Sequence, residues 1–196
     1  MLFARMLKNS LTKSISVLNQ AAGGNRILAD GLGPNALSRI ERDVLSHSGV
    51  RYALIFEGVN DLGTAAPTTA AQSAVVAQLK AAYTQIALRV RAAGIPLFGA
   101  TITPFGSPNS TLQPYSHPLR EVARLEVNEW IRHSGFFDAV VDFDAILRDP
   151  KNATQLNPLY DSGDQLHPSP AGYQALADQF PLELFTRFAL GVSGFD

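Results

Sequence analysis

The feature that most constrains this chain is an alternation. Four short apolar runs, Ile15 to Leu18, Tyr52 to Phe56, Leu97 to Ile102 and Ala139 to Phe143, are separated by stretches with helical periodicity. Strand and helix in turn demand βαβ crossovers, and these build a parallel sheet with helices on its faces. The clearest helix follows Thr69: Thr69 and Gln72 have capping-box spacing, and Val75, Leu79, Ala82, Ile86 and Val90 share one face. Gly94 and Pro96 close it. A second helix is predicted from Pro118 to about Gly135, with Leu119, Val122, Val127, Trp130 and Ile131 turned inward. A third starts with Ser169 as N-cap and Pro170 in the first position; Pro181 should interrupt it before Leu184, Phe185 and Phe188. Between the strands, Thr103 to Pro118 carries four prolines and reads as a long loop over one edge.

The opening segment breaks the alternation. Met1 to about Leu11 looks helical, with Leu2, Phe3, Met6 and Leu7 as its apolar face, yet no strand precedes it. In such a chain a helix normally crosses over from a preceding parallel strand. The expectation is therefore an α/β chain whose first strand is missing. With 196 residues, 46% of them hydrophobic, the chain suffices for one domain spanning 1–196, and no repeat or linker divides it.

Charge narrows the partners. Sixteen Lys plus Arg against 17 Asp plus Glu leave a formal charge of -1, too little to hold a nucleic-acid backbone. The chain has no cysteine, which removes thiolate nucleophiles, disulfides and Cys-based zinc sites. No apolar run approaches the ~18 residues of a membrane span, and MLFARMLKNS has no signal-peptide h-region. Two sequons, Asn109-Ser110-Thr111 and Asn152-Ala153-Thr154, would be glycosylation sites in a secreted protein.

Three polar or glycine-rich stretches lie just past predicted strands, where open α/β sheets place their ligands. DSGDQLHPSPAGY contains Asp164 and His167 at a spacing that lets a carboxylate meet an imidazole within one turn. A carboxylate accepting from Nδ1–H would leave Nε2 free as a base. The same letters also suit a surface turn in which Asp164 caps local backbone. Asn60, in GVND, offers a side-chain amide donor at a tight turn, and Gly24, in NQAAGGNR, offers a backbone N–H; together they suit a developing oxyanion, or else serve only to turn the chain.

In combination and order, NQAAGGNR, GVND and DQLHPSPAGY resemble blocks II, III and V of the SGNH (GDSL-like) hydrolase family. The wider stretches VLNQAAGGNRILADGLGPNALSRIERDVL and YALIFEGVNDLG look like its secreted microbial esterase branch. The resemblance covers Leu2 to about Phe188. It implies a three-layer, flavodoxin-like fold with strand order 2-1-3-4-5. It also implies serine ester hydrolysis, with Asp164 and His167 as catalytic pair and Gly24 and Asn60 as oxyanion donors. Neither cofactor nor metal is implied. The substrate would be a small-molecule or polysaccharide ester, acetylated carbohydrates or lipid esters among them, and the full-length parent would be extracellular.

One block departs from the pattern. The family's Gly-Asp-Ser turn, which carries the nucleophile, occurs nowhere in the chain. Ser10, Ser14 and Ser16 lie before or within the first predicted strand, not at a strand's carboxyl end. Two readings stand: an N-terminally truncated esterase, inactive as it is, or a pseudoenzyme that binds an ester or glycan without cleaving it. Rival motifs are thinner. Gly31-Leu32-Gly33-Pro34-Asn35-Ala36 fits a dinucleotide fingerprint but does not turn directly out of a strand. Asp161, Asp164 and His167 as metal ligands would have no further support.

Overall fold

The computed structural model describes residues 1–109 and 111–193; Ser110, in the first sequon, lies outside them. The sheet is parallel, in the order β1 (Ala53–Ile55), β2 (Leu97–Ala100), β3 (Ala139–Val141), with Leu54 opposite Phe98 and Phe98 opposite Ala139. Because strand side chains alternate between faces, β2 feeds two cores. Leu97 joins Val75, Leu79 and Ile86 of helix α4 (Thr69–Ala92) and Val127 and Ile131 of α5 (Pro118–His133). Phe98 and Ala100 join Met6 of α1 (Leu2–Leu7), Leu176 of α7 (Pro170–Gln179) and Phe185 of α8 (Glu183–Arg187). The expected α/β architecture, a parallel sheet flanked by helices, is present.

Shorter elements sit around this frame. Helix α2 (Ala36–Ile40) continues as a π-helical turn through Leu45, and α3 (Val59–Thr64) follows β1 directly. Beyond β3, α6 (Phe143–Leu147) leads into an antiparallel hairpin of β4 (Arg148–Asp149) and β5 (Asn152–Leu156). The second sequon lies on the exposed part of β5.

Several expectations need correcting. Ile15 to Leu18 forms no strand; Val17 and Leu18 are exposed, and β1 pairs only with β2 among the described residues. A strand is made by its neighbour, and this segment has none among the described residues. At α4 the cap is Thr68, whose hydroxyl accepts from the Ala71 N–H at 3.3 Å, while buried Gln72 donates to the carbonyls of Leu62, Ala65 and Ala66. The capping box is thus displaced by one residue and lacks its returning bond. On α1 Met6 is buried but Phe3 and Leu7 are exposed, and on α5 Val122 is exposed while Ala123 takes the inward position. Ser169 and Pro170 open α7 as expected, the Ser169 hydroxyl accepting from Gly172 N–H at 3.2 Å.

The far end of β2 is held by charge. Arg124, on α5, is fully buried and donates to the Ile102 carbonyl at 2.9 Å, to Asp144 at 2.9 Å and to both Glu121 oxygens. Arg132 reaches Asp142 and Asp144, and Asn128 brackets Ile102 by accepting from its N–H and donating to its carbonyl. This lattice fixes where the Thr103 to Pro118 loop departs.

Candidate active site

Asp164 and His167 meet as their spacing allows. His167 Nδ1 lies 2.6 Å from Asp164 Oδ2, and the other carboxylate oxygen accepts from the N–H groups of Leu166 and His167 and from the Ser162 hydroxyl. Both readings of the motif are therefore present at once: Asp164 organises its own turn and orients the ring. Burial pushes the Asp164 carboxyl up, but the His167 N–H and ring, the Leu166 N–H and the Ser162 hydroxyl together bring it well below the usual carboxylate range. The turn is braced from behind, since Asp161 Oδ1 accepts from Gly163 N–H and Gln165 N–H. His167 itself is 65% exposed. No serine hydroxyl is bonded to its ring among the described residues.

Gly24 and Asn60 sit on neighbouring turns. Gly24 has φ +70, a backbone conformation that favours glycine; the nearest atom to a Cβ there would be Cδ1 of the exposed Leu32 side chain, which is free to swing aside. The Gly24 N–H has no acceptor among the described residues. Gly58, φ +107, turns the chain from β1 into α3 beneath the Tyr83 hydroxyl and puts Asn60 in the first turn of that helix. Asn60 Nδ2 donates to the Asn25 carbonyl at 2.9 Å, which fixes the amide and leaves its second N–H for another acceptor. Asp61, next along, is buried and accepts from the N–H groups of Ile27 and Leu28, both at 2.9 Å. The stretch after Gly24 is thereby clamped to the helix that carries Asn60.

The long loop joins these two halves. Gln113 donates through Nε2 to the Asp164 carbonyl at 3.1 Å, its Oε1 accepts from Tyr115 N–H, and the Tyr115 hydroxyl reaches Asn60 Oδ1 at 3.3 Å. Gln113 and Tyr115 were not among the motif residues; one buried amide in a proline-rich loop is a faint signal. Phe105 and His117, in the same loop, have structural work. Phe105 is 1% exposed in the core, and His117 Nδ1 caps α5 by accepting from Leu119 N–H. Gly31 to Asn35 is a loop that Asp30 ties to Asn35, and Asn35 caps α2, which starts at Ala36. It does not turn out of a strand.

A family model described as GDSL-like Lipase/Acylhydrolase matches residues 2–180. The chain belongs to this family. Two solved structures from Bacteroides share the fold. One is a GDSL-like lipase of B. thetaiotaomicron, with TM-score 0.53 and 18% identity over 72% of this chain and 65% of that one. The other, from B. fragilis and assigned as an acylhydrolase, has TM-score 0.50 and 20% identity over 72% of this chain and 64% of that one. The match thus spans just under two thirds of each neighbour's length. A search of curated proteins finds no match.

Proposed function

We propose that this chain carries the base, the orienting carboxylate and two oxyanion donors of a serine ester hydrolase, and that a further strand beside β1 supplies the nucleophile. The observation that carries the reading is the 2.6 Å contact between His167 Nδ1 and Asp164, which fixes the ring and leaves Nε2 available as the base. Family membership supports ester chemistry, and the open edge of β1, with Leu54 42% and Phe56 37% exposed, supports the added strand.

In this mechanism the serine hydroxyl attacks the acyl carbonyl as Nε2 of His167 takes its proton, and Asp164 stabilises the imidazolium that forms. The Gly24 N–H and the free N–H of Asn60 hold the tetrahedral oxyanion. Collapse expels the alcohol, which receives the proton from His167. Water, deprotonated by the same ring, then releases the acid and restores the serine. The 196-residue chain alone forms no acyl-enzyme.

For substrate class we favour small acyl groups on carbohydrates over lipid esters, and an extracellular setting. Tyr115, half-buried beside Asn60, offers a ring face for a sugar next to the acyl carbonyl. The test is hydrolysis of a short-chain aryl ester, then of acetylated oligosaccharides, by the chain extended with an apolar strand ending in Gly-Asp-Ser. Turnover should be at least about 10³-fold lower with His167→Ala. Equal rates would refute the mechanism.

A further inference from the structure

Behind Gly24 and Asn60 lies a hub the proposed reaction does not use. Asn25 is 2% exposed with every polar group engaged: its N–H on Ala22, its Nδ2 on Pro34, its carbonyl on the Asn60 amide. Its Oδ1 receives both Nε and Nη2 of Arg39, at 3.1 and 2.7 Å. Arg39 also donates through Nη1 to the Gln20 carbonyl and to Asp43, and its Nη2 stands 4.0 Å from Glu57 Oε1 at the end of β1. One guanidinium therefore spans the loop bearing Gly24, the start of the π-helical turn and the strand that leads to Asn60.

We propose that Asn25, Arg39 and Glu57 are positioning residues that form a proton-sensitive brace for the oxyanion pocket. Ionised Glu57 draws Arg39 to the end of β1, and Arg39 holds Asn25 and, through it, the Asn60 amide and the Gly24 turn. This rests on Gly24 and Asn60 being the oxyanion donors.

The surroundings explain the sensitivity. Glu57 is largely buried, faces the like charge of Asp61 and has only distant Arg39 as counter-charge; burial first and Asp61 second raise its carboxyl to about 7. Burial raises the Asp61 carboxyl as well, but the Ile27 and Leu28 N–H groups oppose it, whereas Glu57 has no such donor among the described residues and is the member that keeps the proton. The other groups around the cluster are Arg26 near Asp61, Asp43 on Arg39, Tyr83, whose hydroxyl donates to the Glu57 carbonyl, and His47, bonded to Gln20. With Glu57 protonated, Arg39 keeps Asp43 but loses its pull toward β1. The brace then slackens below about pH 7.

Nuclear magnetic resonance on the ¹⁵N-labelled 196-residue chain tests this without turnover, so an inactive extended enzyme would sink the function and leave the brace standing. The Asn60 side-chain amide and the Gly24 N–H should shift with one midpoint near pH 7. Because imidazoles titrate in the same window, the step must survive in His47→Ala/His167→Ala. It should vanish in Glu57→Gln, vanish at Asn60 in Arg39→Gln, and return in part in Arg39→Lys. Hydrogen-exchange protection at Asn25, corrected for intrinsic rates, should rise severalfold between pH 6 and 8 in the unmodified chain. A step that persists in Glu57→Gln, or protection that does not change, overturns the proposal.

Discussion

The sheet is finished in opposite ways on its β3 side and its β1 side. Among the described residues β3, like β1, has only β2 as ladder partner, but past the strand ends α5 lays Arg124, Asn128 and Arg132 onto Ile102, Asp142 and Asp144. At β1 the ladder stops among the described residues, Leu54 and Phe56 are part-exposed, and the segment from Ile15 to Leu18 forms no strand. The candidate site draws on both. His167 and Asp164 are tied by Gln113 to the loop that leaves the finished edge, whereas Gly24 and Asn60 depend on loops beside the open one. The contact between Asp164 and His167 therefore closes within one local turn, whereas the positions of Gly24 and Asn60 depend on loops packed beside β1.

The largest effect should come from breaking the finished edge. Arg124→Met leaves Asp144 buried with fewer donors and the Ile102 carbonyl with Asn128 alone, a loss of about 3–5 kcal/mol that thermal or urea unfolding will register. Next comes the clamp beside the open edge. Asp61→Leu strands the buried N–H of Ile27 and the N–H of Leu28, costing roughly 2–4 kcal/mol, with exchange protection lost at those two amides.

Smaller and pH-dependent is Glu57. Its folded carboxyl titrates above an unfolded one, so the folded state binds the extra proton, and stability falls as pH rises from about 4.5 to about 7. Glu57→Gln should remove that slope and gain on the order of 1–3 kcal/mol above pH 7, read as an unfolding midpoint that no longer declines. Asp164 has the opposite sign. Its carboxyl is depressed in the fold, so the stability it contributes is present above about pH 4 and lost as acid protonates it. Smallest of all, Leu18→Ser at the open edge should change the stability of this chain by no more than about 0.5 kcal/mol. The same change in a chain extended by a strand should cost several times more, which would sharpen the contrast between the edges.

Much of this was legible. The periodicity of Val75 to Val90, the Pro118 start of α5 and the Ser169-Pro170 cap each rest on a local rule, and each element formed where that rule put it. Asp164 and His167 were legible for the same reason, because their contact closes within one turn. What failed depends on distant partners. Ile15 to Leu18 has a strand's composition, but composition supplies no neighbouring ladder. Phe105 reads as a loop aromatic until the fold buries it. Arg124 and Asp144 look like solvated charges, and nothing in a spacing of 20 residues says that they meet in the core. Asn25 and Arg39 are hidden alike: an arginine on a helix face shows its partner only once the Gly24 turn has folded back onto it.

The most direct measurement is covalent labelling with a fluorophosphonate, read by mass spectrometry, on the chain extended by an apolar strand ending in Gly-Asp-Ser. One phosphonyl group is expected on that serine, near-stoichiometric with Asp164 and His167 intact and lost in His167→Ala. No label, or a label that His167→Ala leaves undiminished, would contradict the mechanism.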